Sequence, residues 1–217
     1  MTAFPERGLY ALVDTDSLAK RDLDPVAVAR AVLAARPAAL QLRAKGLGAR
    51  DTLGLLRRLV PLCREAGVLC LANDRPDLAL LAGCDGVHVG QDDLPLADVR
   101  ALAPGLLVGL STHSEAQVDA AIALAPSYIA VGPVFATVSK AAAEPVVGLS
   151  LVRHARSRAR CPVVGIGGID LERAALLARE GALGAVIGAL LPSSSDDLLV
   201  SITERARRLD AALRGTS

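Results

Sequence analysis

Acidic, amide and basic side chains cluster where short apolar runs of this chain end. Asn73-Asp74-Arg75 follows the run 69–72, and Gly90-Gln91-Asp92-Asp93 follows the run 87–89. Mg²⁺ is usually held by one or two protein carboxylates together with substrate phosphate oxygens and water. Asp74 and Asp93, at the ends of successive strands, supply such a pair. Each also has a structural reading, Asp74 as the N-cap of a helix starting at Pro76 and Asp93 as a cap before Pro95. Capping explains poorly why Asn73, Arg75, Gln91 and Asp92 crowd the same two loops.

Gln41, Arg43 and Lys45 alternate at the end of another apolar run, so their side chains share one face. An Arg and a Lys there suit a diphosphate; a solvated strand terminus is the alternative. Thr137 and Ser139 alternate just before Lys140, in a loop opened by Gly132-Pro133. Hydroxyls beside an ammonium favour an oxyanion, and a surface lysine is the plainer reading. Gly165-Ile166-Gly167-Gly168 and Gly188 stand where backbone N–H groups can approach a phosphate, although glycines also serve tight turns. Ser111-Thr112-His113-Ser114 ends a further run, with Ser114 reading as a helix cap. His113 suits a structural role more readily than a proton shuttle, and His88 fits either a satisfied core position or a pocket wall.

The elements that must position these groups alternate. Residues 10–13, 38–42, 68–72, 86–89, 106–110, 128–131, 162–166 and 184–190 read as buried strands. Residues 25–35, 49–66, 76–82, 95–103, 114–125, 149–158, 170–180 and 195–214 have helical spacing. Asp24-Pro25 and Asp170 mark helix starts, while Gly67, Gly83 and Gly181 mark helix ends. Eight near-equal β-α units predict an α/β chain folded as one (β/α)₈ TIM barrel across residues 1–217. An open doubly wound sheet is the less suitable alternative, because no Gly-rich loop follows the first strand. In a barrel the loops after the strands gather at one rim, and every polar cluster above falls in such a loop.

Composition narrows the partners. Hydrophobic residues make up 52% and aromatic residues 2%, so an aliphatic core is expected. Lys and Arg number 24 against 23 Asp and Glu, with no long basic block, which argues against nucleic acid or a membrane surface as partner. The N-terminus lacks the basic-then-apolar order of a signal peptide, and the apolar stretch around 181–191 is too short to span a bilayer. Four scattered cysteines without metal-site spacing are expected to be reduced thiols in a cytoplasmic protein. The sequence leaves the oligomeric state open and is compatible with a homo-oligomer.

Taken in order, Gln41-Leu42-Arg43-Ala44-Lys45, Asn73-Asp74-Arg75, residues 85–95, 109–113, 128–140 and 165–169 resemble the thiamine phosphate synthase family. The likeness runs from Tyr10 to about Leu191. It implies a barrel transferase that joins 4-amino-5-hydroxymethyl-2-methylpyrimidine diphosphate to a thiazole phosphate, giving thiamine phosphate and pyrophosphate. The implied course is dissociative: pyrophosphate leaves, and the thiazole nitrogen captures the pyrimidine-methyl cation. By this resemblance Asp74 and Asp93 bind Mg²⁺, and Gln41, Arg43, Lys45, Asn73 and Lys140 hold the diphosphate. Ser111 faces the pyrimidine, Thr137, Ser139 and Gly168 hold the thiazole phosphate, and Gly188 belongs to the same pocket. The catalytic assignments fall on Arg43, Lys140 and Ser111.

The chain departs from the family pattern at Ala44, where an acidic residue is usual, at Ala136 and Ser139, and at Gly188, often a serine. It also lacks a basic residue within 141–144. Two rivals share the expected barrel. A thiazole tautomerase would use His113 as proton carrier and need no diphosphate, and a silent thiamine- or phosphate-binding barrel would bind without turnover. Retention of both Asp74 and Asp93 argues against the tautomerase.

Overall fold

The computed structural model describes residues 3–137, 145–192 and 197–215. Eight parallel strands close into a barrel in chain order. They are β1 (Leu9–Asp14), β2 (Ala39–Arg43), β3 (Leu69–Asn73), β4 (Gly86–Val89), β5 (Leu107–Thr112), β6 (Tyr128–Val131), β7 (Val163–Ile166) and β8 (Leu183–Val186). β8 pairs back onto β1, with Leu9 opposite Gly184 and Ala11 opposite Val186, which closes the ring. The expected (β/α)₈ barrel is therefore the architecture observed, and the open sheet is excluded.

Helices α1 (Thr15–Ala19), α2 (Pro25–Leu33), α3 (Ala49–Ala66), α4 (Pro76–Ala82), α5 (Leu96–Leu102), α6 (Glu115–Leu124), α7 (Gly148–Arg158), α8 (Leu171–Arg179) and α9 (Leu198–Arg214) fill the connections and the C-terminal segment. Local chemistry sets several ends. The Asp24 carboxylate accepts from the Val26 and Ala27 N–H groups at 3.3 Å each, and Asp170 accepts from Arg173 N at 2.8 Å. Ser114 caps α6 through Gln117 N at 3.2 Å. Gly67 and Gly83 end α3 and α4 in the left-handed region, where a residue without Cβ is unstrained.

Strand alternation builds two cores. Outward residues such as Leu9, Leu40, Cys70, Val87 and Ile129 pack under the helices. Inward residues fill the barrel itself, among them Tyr10, Leu71, Tyr128, Val164 and Leu183. The aliphatic expectation describes the outer layer and most of the inner one, which adds three aromatic rings. Phe4, from the segment before β1, stacks on Tyr128 with ring centroids 4.0 Å apart, and Tyr10 meets both rings edge-on at 5.7 Å. Aromatic residues are few in the chain, yet three of them lie together in the barrel interior. Large rings there fill a volume that the neighbouring Ala39, Ala130 and Gly109 leave open.

Three further differences bear on the site. Helix α1 was not expected; the Asp14 carboxylate starts it, accepting from Ser17 N at 2.8 Å. β5 runs on to Thr112, so Ser111 is a strand residue with a fixed inward direction. β8 stops at Val186 instead of continuing to residue 190, and Gly188–Leu190 forms a 3₁₀ turn with Leu190 buried. Pairing with β1 ends at Val186, and the chain then turns to bury Leu190 rather than remain extended. All four cysteines are thiols, and no helix among the described residues is long and apolar enough to cross a membrane.

Candidate active site

At the ends of the strands lies a cavity of about 950 Å³. β2 contributes Gln41, Arg43 and, just past the strand, Lys45; β3 contributes Asn73 and Asp74. From β4 come His88 and the loop bearing Asp93, and from β5 Ser111. The opposite wall has Thr137, Gly168 and Gly188. The structure thus gathers these eleven residues, all singled out above, around one space. Ser139 and Lys140 lie outside the described residues.

The acidic pair has unusual local backbone. Asp74 sits at φ 62°, a left-handed conformation uncommon outside glycine and tolerated best there by Asn, Asp and His. Its N–H donates to the His88 carbonyl at 2.8 Å, tying the turn after β3 to β4. Neither aspartate caps a helix. Helix α4 begins after Arg75 and α5 after Pro95, without side-chain caps. Asp93 instead accepts from Gly90 N at 2.7 Å, which folds the loop after β4 back on itself. The capping readings of Asp74 and Asp93 are therefore set aside.

Electrostatics single out the same pair. Burial pushes the Asp74 carboxyl above its usual range, and the negative charge of Asp93 pushes it further. Lys45 opposes both, with Nζ 3.2 Å from Asp74 Oδ2. Two carboxylates that repel each other in a partly buried rim fit a divalent cation, which relieves the repulsion. Two carboxylates are the number of protein donors with which Mg²⁺ is usually held, phosphate oxygens and water filling the rest of its shell.

Arg43 is oriented by a residue the sequence reading missed. Asp14, only 4% exposed, takes an Arg43 Nη1 hydrogen bond on Oδ2 and the Ser17 N–H and hydroxyl on Oδ1. One carboxylate thus starts α1 and holds the guanidinium at the rim. The Asp-x-x-Ser spacing immediately after the first apolar run was the available signal.

Across the cavity the glycines are explained by close approach. Gly167 and Gly168 have φ of 99° and 63°, and a Cβ on Gly168 would lie 2.3 Å from the Ala136 carbonyl oxygen. The turn after β7 is pressed against the segment after β6, leaving backbone exposed to the cavity. Arg173 holds the Gly168 carbonyl at 2.7 Å. His113 lines the cavity, with Nδ1 2.6 Å from the Gly132 carbonyl, so it anchors the start of the loop after β6.

Below the mouth, buried and half-buried polar groups form one chain. Gln41 Nε2 donates to Tyr10 Oη at 2.9 Å, and Tyr10 and Tyr128 hydroxyls lie 2.8 Å apart. His88 joins Tyr128 Oη through Nδ1 at 2.9 Å and Ser111 Oγ through Nε2 at 2.8 Å. Burial raises the ionisation of both phenols well above their ordinary value of 10.0. In the unfolded chain they ionise at that ordinary value, so above about pH 10 the unfolded state holds fewer protons than the folded one. Stability is then unaffected below pH 10 and falls above it, by about 1.4 kcal/mol per pH unit for each tyrosine. Alkaline denaturation of Tyr10→Phe is expected to show about half the wild-type slope.

Comparison with known proteins agrees with the geometry. The family model described as thiamine monophosphate synthase matches residues 9–190. A thiamine-phosphate synthase of Anaeromyxobacter dehalogenans is 40% identical over 212 residues, covering 97% of this chain and 92% of the relative. That of Myxococcus xanthus is 43% identical over 205 residues, covering 94% and 90%. The solved thiamine phosphate pyrophosphorylase of Pyrococcus furiosus superposes with a TM-score of 0.80 at 29% identity, covering 95% of this chain and 96% of that one. By fold, by the residues gathered at its rim and by these matches, the chain belongs to the thiamine monophosphate synthase family.

Proposed function

We propose that this chain is a thiamine-phosphate synthase: it joins a pyrimidine-methyl diphosphate to a thiazole phosphate with release of pyrophosphate, at the cavity ringed by Asp74, Asp93, Arg43 and Ser111. The observation that carries the reading is the Asp74–Asp93 pair facing Lys45 at one wall, with exposed glycine backbone at the other. A cation-and-diphosphate site and a second, backbone-lined anion site in one cavity match a reaction between two phosphorylated partners. A tautomerase acting on the thiazole alone has no use for the first.

In this reading Asp74 and Asp93 hold Mg²⁺, which supplies positive charge to the departing pyrophosphate. Arg43, fixed by Asp14, Lys45 and Asn73 bind and orient the diphosphate, as does Lys140. Negative charge grows on that group as the C–O bond breaks, so donors already in place stabilise the transition state more than the ground state. Ser111 faces the pyrimidine. Thr137, Ser139, Gly168 and Gly188 hold the thiazole phosphate so that its ring nitrogen faces the pyrimidine-methyl carbon. That nitrogen attacks as a neutral atom, so the step needs no general base, and positioning carries much of the rate.

Arg43→Ala tests the division of the cavity. Loss of a charge-assisted hydrogen bond costs roughly 1.5–3 kcal/mol. The expected result is a rise of about 10- to 100-fold in KM for the pyrimidine diphosphate with a much smaller change for the thiazole phosphate. Steady-state kinetics with each substrate varied in turn checks this, and equal losses for both would contradict the assignment.

A further inference from the structure

Five side chains from five strands, Gln41, Tyr10, Tyr128, His88 and Ser111, form a single hydrogen-bonded file through the barrel, with Gln41, His88 and Ser111 reaching the cavity. Such a file has a direction, because each hydroxyl has one proton to give. Gln41 Nε2 is a donor only, so Tyr10 Oη accepts from it. With the Tyr10 proton given to the Tyr128 oxygen 2.8 Å away, the Tyr128 proton goes to His88 Nδ1. A neutral imidazole accepting on Nδ1 carries its proton on Nε2, which donates to Ser111 Oγ. The Ser111 proton is left to point at the cavity. Burial keeps both phenols protonated throughout the neutral range.

We propose that this file fixes Ser111 as a hydrogen-bond donor toward the bound pyrimidine, making Tyr128 and His88 positioning residues that select a 4-aminopyrimidine over its 4-oxo counterpart. The inference rests on the functional reading above for the identity of the ligand. A 4-aminopyrimidine presents an unprotonated ring nitrogen beside its amino group, an acceptor for the Ser111 proton. The 4-oxo ring carries a hydrogen on that nitrogen, so donor would meet donor. Accepting it requires reversing the whole file, which ends in turning the Gln41 amide. A buried polar group left facing its own kind is the usual source of strong discrimination.

The fold supports a fixed file. Phe4 stacks on Tyr128 on one side, and the His88 ring lies nearly parallel to it at 5.6 Å. Tyr128 also fills the space that Gly109 leaves. Neither ring can turn away without disturbing the barrel core.

The test reads the proton directly and then the ligand. Long-range ¹H–¹⁵N correlation spectra at about pH 8 report the tautomer of each of the 3 histidines. His88 is assigned by eliminating His113 and His154 with single Asn variants. The expected wild-type form is Nε2–H, and Nδ1–H would overturn the proposal. In Tyr128→Phe, which keeps the ring and its stacking, the His88 signals should shift to a mixture of tautomers. Calorimetric Kd values for the 4-amino and 4-oxo diphosphates, without thiazole phosphate, complete the test. Tyr128→Phe should weaken the amino compound about 10-fold and narrow the amino/oxo ratio by a similar factor. Equal weakening of both compounds would reduce the file to a structural role and overturn the proposal. Wild-type protein with the Nε2–H tautomer that binds neither compound would overturn the functional reading instead, since the tautomer is read without ligand.

Discussion

Asp93→Ala is expected to reduce Mg²⁺-dependent formation of thiamine phosphate by at least about 10³-fold while leaving the barrel folded. The argument is geometric first. Asp93 caps no helix, and it accepts the N–H of Gly90 from its own loop, so its removal costs little framework. Its carboxylate is one of the two that raise each other's energy at the rim, and an alanine there leaves Asp74 paired with Lys45 alone. The same substitution should therefore help the metal-free protein slightly, because a like-charge repulsion disappears. The two effects separate in one experiment. Thermal unfolding with and without Mg²⁺ and the pyrimidine diphosphate should show a ligand-induced rise in Tm for wild type and little or none for Asp93→Ala. Asp74→Ala should lose turnover as severely and be less stable than Asp93→Ala, since alanine tolerates the φ 62° conformation less well than aspartate does. Full activity in either variant would contradict the metal assignment.

Gly109→Ala is expected to be the most damaging small substitution in the barrel. A Cβ at position 109 would lie 1.9 Å from Tyr128 Cζ and 2.3 Å from its hydroxyl oxygen. Tyr128 cannot retreat, because Phe4 stacks against it and Tyr10 abuts it. Overpacking of a filled core costs about 1–3 kcal/mol and more where nothing can yield. We expect a loss of at least about 3 kcal/mol, a fall in Tm of roughly 6–12 °C for a chain of this size. Thermal denaturation followed by circular dichroism checks it. Tyr128→Phe combined with Gly109→Ala should recover little, because the ring carbon as well as the hydroxyl is in the way. A Tm within 2 °C of wild type would show that the ring has room to shift, contrary to this account.

The barrel was legible because its helices and strands carry strong local signals. Asp24-Pro25, Asp170 and the glycines after α3 and α4 punctuate the chain where the structure begins and ends its helices. The polar clusters were legible because strand-end loops share one rim in a barrel, so order along the chain becomes proximity in space. What escaped was chemistry that depends on which way a side chain points. Asp14 was not singled out at all, although its carboxylate holds Arg43 from the next strand. Tyr10 and Tyr128 are 118 positions apart in sequence, and nothing local says that their hydroxyls meet. His88 was left between a core and a pocket role, and it fills both, touching Tyr128 inside and lining the cavity outside. Gly188 was placed on a strand, because an apolar run does not reveal where inter-strand pairing stops.

The central claim is that one cavity joins two phosphorylated partners with the help of a divalent cation. The most direct measurement mixes purified protein with the aminopyrimidine diphosphate and the thiazole phosphate, with and without Mg²⁺, and reads thiamine phosphate by fluorescence after oxidation. The account predicts product only when Mg²⁺ and both precursors are present, with pyrophosphate released in equal amount. Folded protein that binds either precursor yet makes no thiamine phosphate would contradict it.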